Sequence, residues 1–195
     1  MQDRKKVIAY ISLVVFAWRI VFYRVGWGTK LQDAEFDQAL LRAEKTGIKW
    51  IEEIRMYPFS PVTRLEAAQW YVLLAQDIWL VPDGTPSDCV FADISEVDDV
   101  TKDRVVLACM YDFFKGTDGN FYPYAYVTKA NSLVALIRWL SPAREFELTQ
   151  PYRTPYVNLA YEQGITKRPS WPYLMYLITK YELLLQLWRV HELKS

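Results

Sequence analysis

Three times along the chain, a β-branched residue, a threonine and a cation stand directly ahead of an apolar run. The stretches are Val62-Thr63-Arg64, Val127-Thr128-Lys129 and Ile178-Thr179-Lys180. Apolar positions in the runs that follow cover more than a narrow stripe. This predicts helices over 64–78, 129–140 and 180–191 that are central and packed against one another. Glu66 and Glu182 follow Thr63 and Thr179 by three residues, which is the spacing of a capping box. In that arrangement the hydroxyl accepts from the third backbone N–H and the carboxylate reaches back to the cap N–H. Asn131 makes a weaker third after Thr128. Val62 with Ala67, and Ile178 with Leu183, have the spacing of hydrophobic staples. Thr63, Glu66, Thr128, Thr179 and Glu182 are therefore read as structural caps. The cations are different, because a positive charge in the first turn of a helix opposes the helix dipole.

A shorter helix is expected ahead of each of these, over 34–45, 100–114 and 155–163. Gly47 and Gly164 close the first and third, as C-terminal glycines do. Each is followed by isoleucine, and Asp112-Phe113 holds the equivalent place in the second unit. Before the second cap the chain reads KGTDGNFYPYAYVTKAN, in which Asp118-Gly119 signals a tight turn. Phe121-x-Pro123 stands four residues before Val127, and Met56-x-Pro58 stands four before Val62. The third unit is looser, with Trp171-Pro172 and two extra residues. Short strands could form around Phe121 within a mainly α chain. One helical hairpin cannot bury its own apolar face, whereas three around a shared axis can.

This ordered set resembles the S-layer homology (SLH) domain family. The matching features are Phe91-x-Asp93, a helix, a Gly-rich turn, Phe-x-Pro, and a Thr-Arg-Ala-Glu-like motif that starts a second helix. GTDGNFYPYAYVTKA is the closest stretch. The likeness covers roughly residues 31–193 as three degenerate repeats, at about 33–80, 91–141 and 152–193. It implies a mainly α fold of three helix–loop–helix repeats, arranged pseudo-threefold around a central three-helix bundle. It also implies non-covalent attachment of a surface protein to acidic, often pyruvylated, cell-wall polysaccharide through grooves between repeats. By position the ligand-binding residues would be Arg64, Lys129 and Lys180, with Asp118 and Gly119 from the turn. Two of the three arginines are lysines here, which lack the planar fork that suits a carboxylate. Asn131 replaces a motif glutamate, and Tyr152-x-Thr154 replaces the Phe-x-Asp opening in the third repeat. The rival expectation is a membrane-tethered structural protein that uses the same scaffold for self-assembly or for contacts with surface-layer proteins.

The first 23 residues change the picture of compartment. A basic start at Arg4-Lys5-Lys6 precedes an apolar run broken by Arg19, which is the pattern of a signal peptide or a membrane-anchor helix over 7–23. An amphipathic helix packed on the domain is the remaining reading. A linker is expected over 24–32, then the SLH-like domain over 33–195. Both membrane readings place the domain outside the cytoplasm, at the cell envelope or surface. In that setting Cys89 and Cys109 would form a disulfide; otherwise they are two buried thiols.

Charge is balanced, with 23 basic and 23 acidic residues, so no net field favours nucleic acid. Aromatic residues make up 16% of the chain, which suits both a ring-lined core and stacking on sugars. His191, the only histidine, is expected to be a solvated tail residue. Glu52-Glu53 and Asp98-Asp99 are adjacent pairs without acid/base geometry and are read as exposed charge. Asp118 lacks the alternating ligands of a calcium loop. With no phosphate loop, metal cluster or nucleophile motif in the sequence, the chain is read as a non-enzyme without a cofactor.

Overall fold

In the computed structural model the described residues are 30–45, 51–78, 81–141, 154–167 and 171–194. The chain divides into two compact units, Met1–Asp37 and Gln38–Ser195. Of the first, only the start of one helix is described. The expected leader over 1–23, and Gly47-Ile48, lie outside the described residues. The protein is mainly α, with eight α-helices and no strand among the described residues. They are α1 (Lys30–Lys45), α2 (Ile51–Met56), α3 (Arg64–Asp77), α4 (Asp99–Met110), α5 (Lys129–Leu140), α6 (Thr154–Glu162), α7 (Trp171–Met175) and α8 (Lys180–Lys194). None of these is long and apolar enough to cross a membrane.

Three helices carry the core. Every residue of α3 from Ala67 to Ala75 is buried, as are 132–137 of α5 and 183–187 of α8. A helix buried on all sides must lie among other helices, as the broad apolar runs predicted. A buried polar chain links the three. The Tyr71 hydroxyl lies 2.7 Å from Ser132 Oγ, which donates to Gln186 Oε1 at 2.6 Å. Around them α4 packs on α3, α6 and α7 pack on α5, and α8 contacts α3.

The starts of these three helices form a closed cycle of backbone hydrogen bonds. Val62 N–H donates to Ile178 O (3.0 Å), Ile178 N–H to Val127 O (2.8 Å), and Val127 N–H back to Val62 O (2.9 Å). All three residues have 1% exposure or less, so each group has to find a partner within the protein. The expected strands around Phe121 are not present among the described residues. The extended segments pair only by isolated bridges, such as Thr63 with Tyr126 and Thr128 with Leu177. Two residues on, Arg64 N–H donates to Ala125 O, Lys129 N–H to Tyr176 O and Lys180 N–H to Ser60 O, and the chain then turns directly into helix.

The caps are local and follow the sequence closely. Thr63 Oγ1 accepts from Glu66 N–H, while a Glu66 carboxylate oxygen accepts from Thr63 N–H at 2.8 Å. Thr179 and Glu182 repeat the box at 3.2 Å in both directions. Thr128 accepts from Asn131 N–H alone. At the other helix ends, Gly164 takes φ 75° and Ile165 N–H reaches back to Ala160 O at 2.9 Å. Asp112 does the same at φ 61°, with Phe113 N–H donating to Ala108 O at 3.0 Å. Both are Schellman-type closures, and aspartate is among the few residues that tolerate the left-handed position.

Several expectations are corrected. α1 starts at Lys30, so 30–32 are helical rather than linker; they hold no glycine or proline and are good helix formers. α4 ends at Met110 rather than at 114, because Asp112 closes it. Helices α2 and α7 were not expected. In α2 the buried pair Ile51 and Ile54 supplies one apolar face in only six residues. Asp98 is exposed as expected and also caps α4; hydrogen bonds from the Thr101 hydroxyl and from Thr101 N–H (3.1 Å) hold its carboxyl below the ordinary aspartate range.

Cys89 and Cys109 are joined in a disulfide with Cα atoms 5.8 Å apart, which ties the 3₁₀ segment before Phe91 to α4. On the chain-entropy account, closing a loop of this length contributes about 3 kcal/mol. Urea unfolding of the oxidised and reduced protein is expected to differ by about that amount, with the reduced form weaker. Thr63→Ala, which removes the cap of α3, is expected to cost about 1 kcal/mol in the same assay.

Candidate functional site

Arg64 opens α3, and its side chain leaves the helix towards Phe114 and Phe121. The main chain fixes its origin. Arg64 N–H donates to Ala125 O at 2.8 Å and Leu65 N–H to Pro123 O at 3.0 Å. Arg64 Nε donates to Phe121 O at 2.8 Å. Its Cζ lies 4.7 Å from the centroid of the Phe114 ring and 5.0 Å from that of Phe121. These contacts place the guanidinium over two ring faces. The Asp93 carboxylate anchors the same loop, accepting from Phe121 N–H at 2.7 Å and Tyr122 N–H at 2.6 Å. Tyr122 has φ 59°, a conformation that a bulky residue adopts only when its surroundings hold it there. Burial lowers the Arg64 pKa, and the field of Asp93 opposes that shift without cancelling it. An arginine with so high an ordinary pKa remains cationic throughout the physiological range. None of the ion pairs among the described residues includes Arg64.

Arg64 lines an open groove of about 320 Å³. One wall is α5, through Asn131, Val134, Ala135 and Arg138; Asn131 and Arg138 are two turns apart on one face. The other wall is the segment from Phe113 to Thr117. Gly116 is required there, since a Cβ at its φ of 70° would stand 2.5 Å from a Phe91 ring carbon and 2.7 Å from Asn120 O. Three cations line this groove, Arg64, Lys115 and Arg138, and no carboxylate does. Lys115 forms a solvent-exposed pair with Asp112 at 3.0 Å, which neutralises it only weakly. Arg138 has its guanidinium 5.7 Å from the Tyr156 ring centroid.

The other expected ligand residues sit differently. Lys129 is buried, donates to Glu182 Oε1 at 2.6 Å and lies 3.7 Å from the Tyr173 ring centroid. The Tyr173 hydroxyl donates to the same oxygen at 2.8 Å. Lys180 is only 3% exposed, and it pairs with Glu53 and, at 3.2 Å, with Glu66. Both ammonium groups are thus neutralised inside the protein. Asp118 and Gly119 form the tip of a tight turn, at φ 50° and 74°, closed by reciprocal bonds of 2.9 Å between Thr117 and Asn120. Thr117 and Gly116 face the groove, whereas the Asp118-Gly119 tip is outside its lining. Sequence reasoning missed Lys115 and Arg138. The seven-residue step from Asn131 to Arg138 was the signal available.

His191 is corrected from a solvated tail residue to a buried one. Its Nε2 lies 2.9 Å from Arg42 Nη2 and 3.2 Å from Asp77 Oδ2, and its ring stacks on Trp188. A cavity of about 30 Å³ beside it holds little more than one water. Among the described residues no group of His, Cys, Asp and Glu is arranged to hold a metal ion.

No protein-family model matches the chain, and no curated protein matches it.

Lys180 yields a stability prediction. Burial pushes its pKa down, but hydrogen bonding to Glu53 and the nearby Glu66 push harder, and the net pKa stands above the ordinary lysine value. A raised folded pKa means that the contribution to stability is complete below about pH 10.4 and fades as pH rises through the folded value. Lys180→Met is expected to cost about 2 kcal/mol at pH 7, since it strands two partly exposed carboxylates. It should also remove the alkaline component of the wild-type stability profile, measured by urea unfolding from pH 7 to 11.

Proposed function

We propose that this chain is a cell-surface attachment module, not an enzyme, that holds acidic cell-envelope polysaccharide non-covalently in the groove around Arg64. The observation that carries this reading is a guanidinium without an ion-pair partner, oriented by two rings, in a groove with two further cations. An anionic sugar supplies the charge that this groove lacks, and the planar fork of arginine suits a carboxylate. The Tyr122, Tyr124 and Tyr126 side chains, 48–72% exposed, lie on the segment that anchors Arg64 and offer faces for neighbouring sugars.

The scaffold in this reading is three SLH-like repeats arranged pseudo-threefold around α3, α5 and α8. Three features support it: the cyclic bonds among Val62, Val127 and Ile178, the repeated caps, and the matching closures at Asp112 and Gly164. The grooves are not equivalent, since Lys129 and Lys180 are engaged internally. The disulfide is consistent with export to an oxidising compartment.

The second reading is a membrane-tethered assembly protein that uses the scaffold for protein contacts. The exposed Met56, Tyr57, Phe59, Met175, Tyr176 and Leu177 favour it.

Co-sedimentation of the purified chain with cell-wall sacculi, before and after removal of their acidic polysaccharide, separates the two. Binding only to the intact sacculi is the expected result; equal binding to both, or to neither, would reject attachment. Arg64→Ala is expected to weaken binding by roughly tenfold to a hundredfold, the loss of one charge-assisted contact, with the fold retained by circular dichroism.

A further inference from the structure

We infer that Asn131 creates the anion site by withholding an internal carboxylate from Arg64, and that a ligand carboxylate takes the place left open. This rests on the polysaccharide reading of the groove and specifies the chemistry recognised there.

The basis is a rule that two of the three junctions obey. Each central helix begins with a cation directly after its capping threonine. Each has a residue three places after that threonine, namely Glu66, Asn131 and Glu182. Lys129 of α5 reaches Glu182 of α8. Lys180 of α8 reaches Glu66 of α3. The same step takes Arg64 of α3 to position 131 of α5, and an asparagine stands there. The backbone cycle fixes this order, because each segment bonds the next in the same sense. Two cations therefore have the neighbouring cap glutamate as an ion-pair partner, Lys180 sharing itself with Glu53, and the third has none among the described residues. Arg64 and Asn131 line the one groove together.

The donors left at this junction suit a carboxylate. Phe121 O uses Nε–H, and the Nη groups remain for a ligand. The Asn131 amide can donate where a glutamate would only accept. At the Lys129 junction a single carboxylate oxygen accepts from both Lys129 and Tyr173. A foreign carboxylate at Arg64 would complete the third junction in the same manner. Because the other two cations already have internal partners, the described residues offer one such site. Lys115 and Arg138 extend the positive surface along the groove and would meet further charges of the same polymer.

The test is Asn131→Glu in the full chain, with oligogalacturonate, a chain of uronic acids, as the probe and glucose 6-phosphate as the phosphate arm. Binding is followed by calorimetry at low salt. The wild type is expected to bind oligogalacturonate with one site per chain and in preference to the phosphate. N131E is expected to lose at least tenfold in affinity while its melting temperature rises. Because a glutamate at position 131 would also complete the capping box with Thr128, the rise that N131E produces in the wild type should exceed the rise it produces in an Arg64→Met background. N131Q, with the shape of glutamate but no charge, should lose far less affinity than N131E.

Unchanged binding by N131E would overturn the inference, as would a melting temperature below wild type, or equal losses in N131E and N131Q. A wild type that binds sacculi but prefers phosphate, or ignores oligogalacturonate, would also overturn it while leaving the attachment reading intact. Failure of the wild type to bind sacculi removes the attachment reading itself.

Discussion

The cycle of hydrogen bonds among Val62, Val127 and Ile178 is the constraint on which the rest of the structure depends. These residues are buried almost completely, and a buried peptide group without a partner costs about as much as a lost hydrogen bond. Among the described residues no sheet is present to take them up, so each segment supplies the acceptor for another. Once the cycle closes, the three helix starts are fixed relative to one another. The first side chain of each helix must then project into the junction with a neighbouring segment. The positions of Arg64, Lys129 and Lys180 follow from backbone geometry before side-chain chemistry enters.

Charge at the junctions is a second-order choice made on that frame. A cation in the first turn of a helix is unfavourable with respect to the dipole; Lys129 and Lys180 offset this with a glutamate from the next helix start, to which Lys180 adds Glu53. Arg64 offsets it with a carbonyl, two aromatic faces and the more distant Asp93. Those contacts orient the guanidinium without cancelling its charge. A group held in place and still charged has what recognition of an anion requires, because little entropy remains to be lost on binding.

Much of the fold was legible in the sequence because its signals are local. Thr63 with Glu66, and Thr179 with Glu182, specify helix starts by themselves, and α5 has the bounds expected of it. The equivalence of Asp112 with Gly164 was also legible, since either residue can take the left-handed position that closes a helix. Helices α2 and α7 were not, being too short for periodicity to register. The state of Lys180 depended on Glu53, which lies far away in sequence and reads as surface charge when seen in line. His191 was misjudged for the same reason: nothing local links it to Arg42 and Asp77. In the candidate site, Arg64 was marked by its conflict with the helix dipole. Lys115 and Arg138 belong to a wall that exists only once α5 is placed beside the Phe113–Thr117 segment.

A closed cycle also differs from a linear stack of repeats in what it allows to change. In a stack, units can be lost or gained at the ends, with stability rising roughly in proportion to their number. A cycle of three hydrogen-bonded segments has no end, and deletion of one segment would leave an orphaned donor on one neighbour and an orphaned acceptor on the other. The number of segments in the cycle is therefore locked. Side-chain identity at each junction is less constrained, because the backbone cycle does not depend on it. One junction can exchange an internal salt bridge for an open cation while the other two keep theirs, so the three junctions are free to take different roles on one backbone frame.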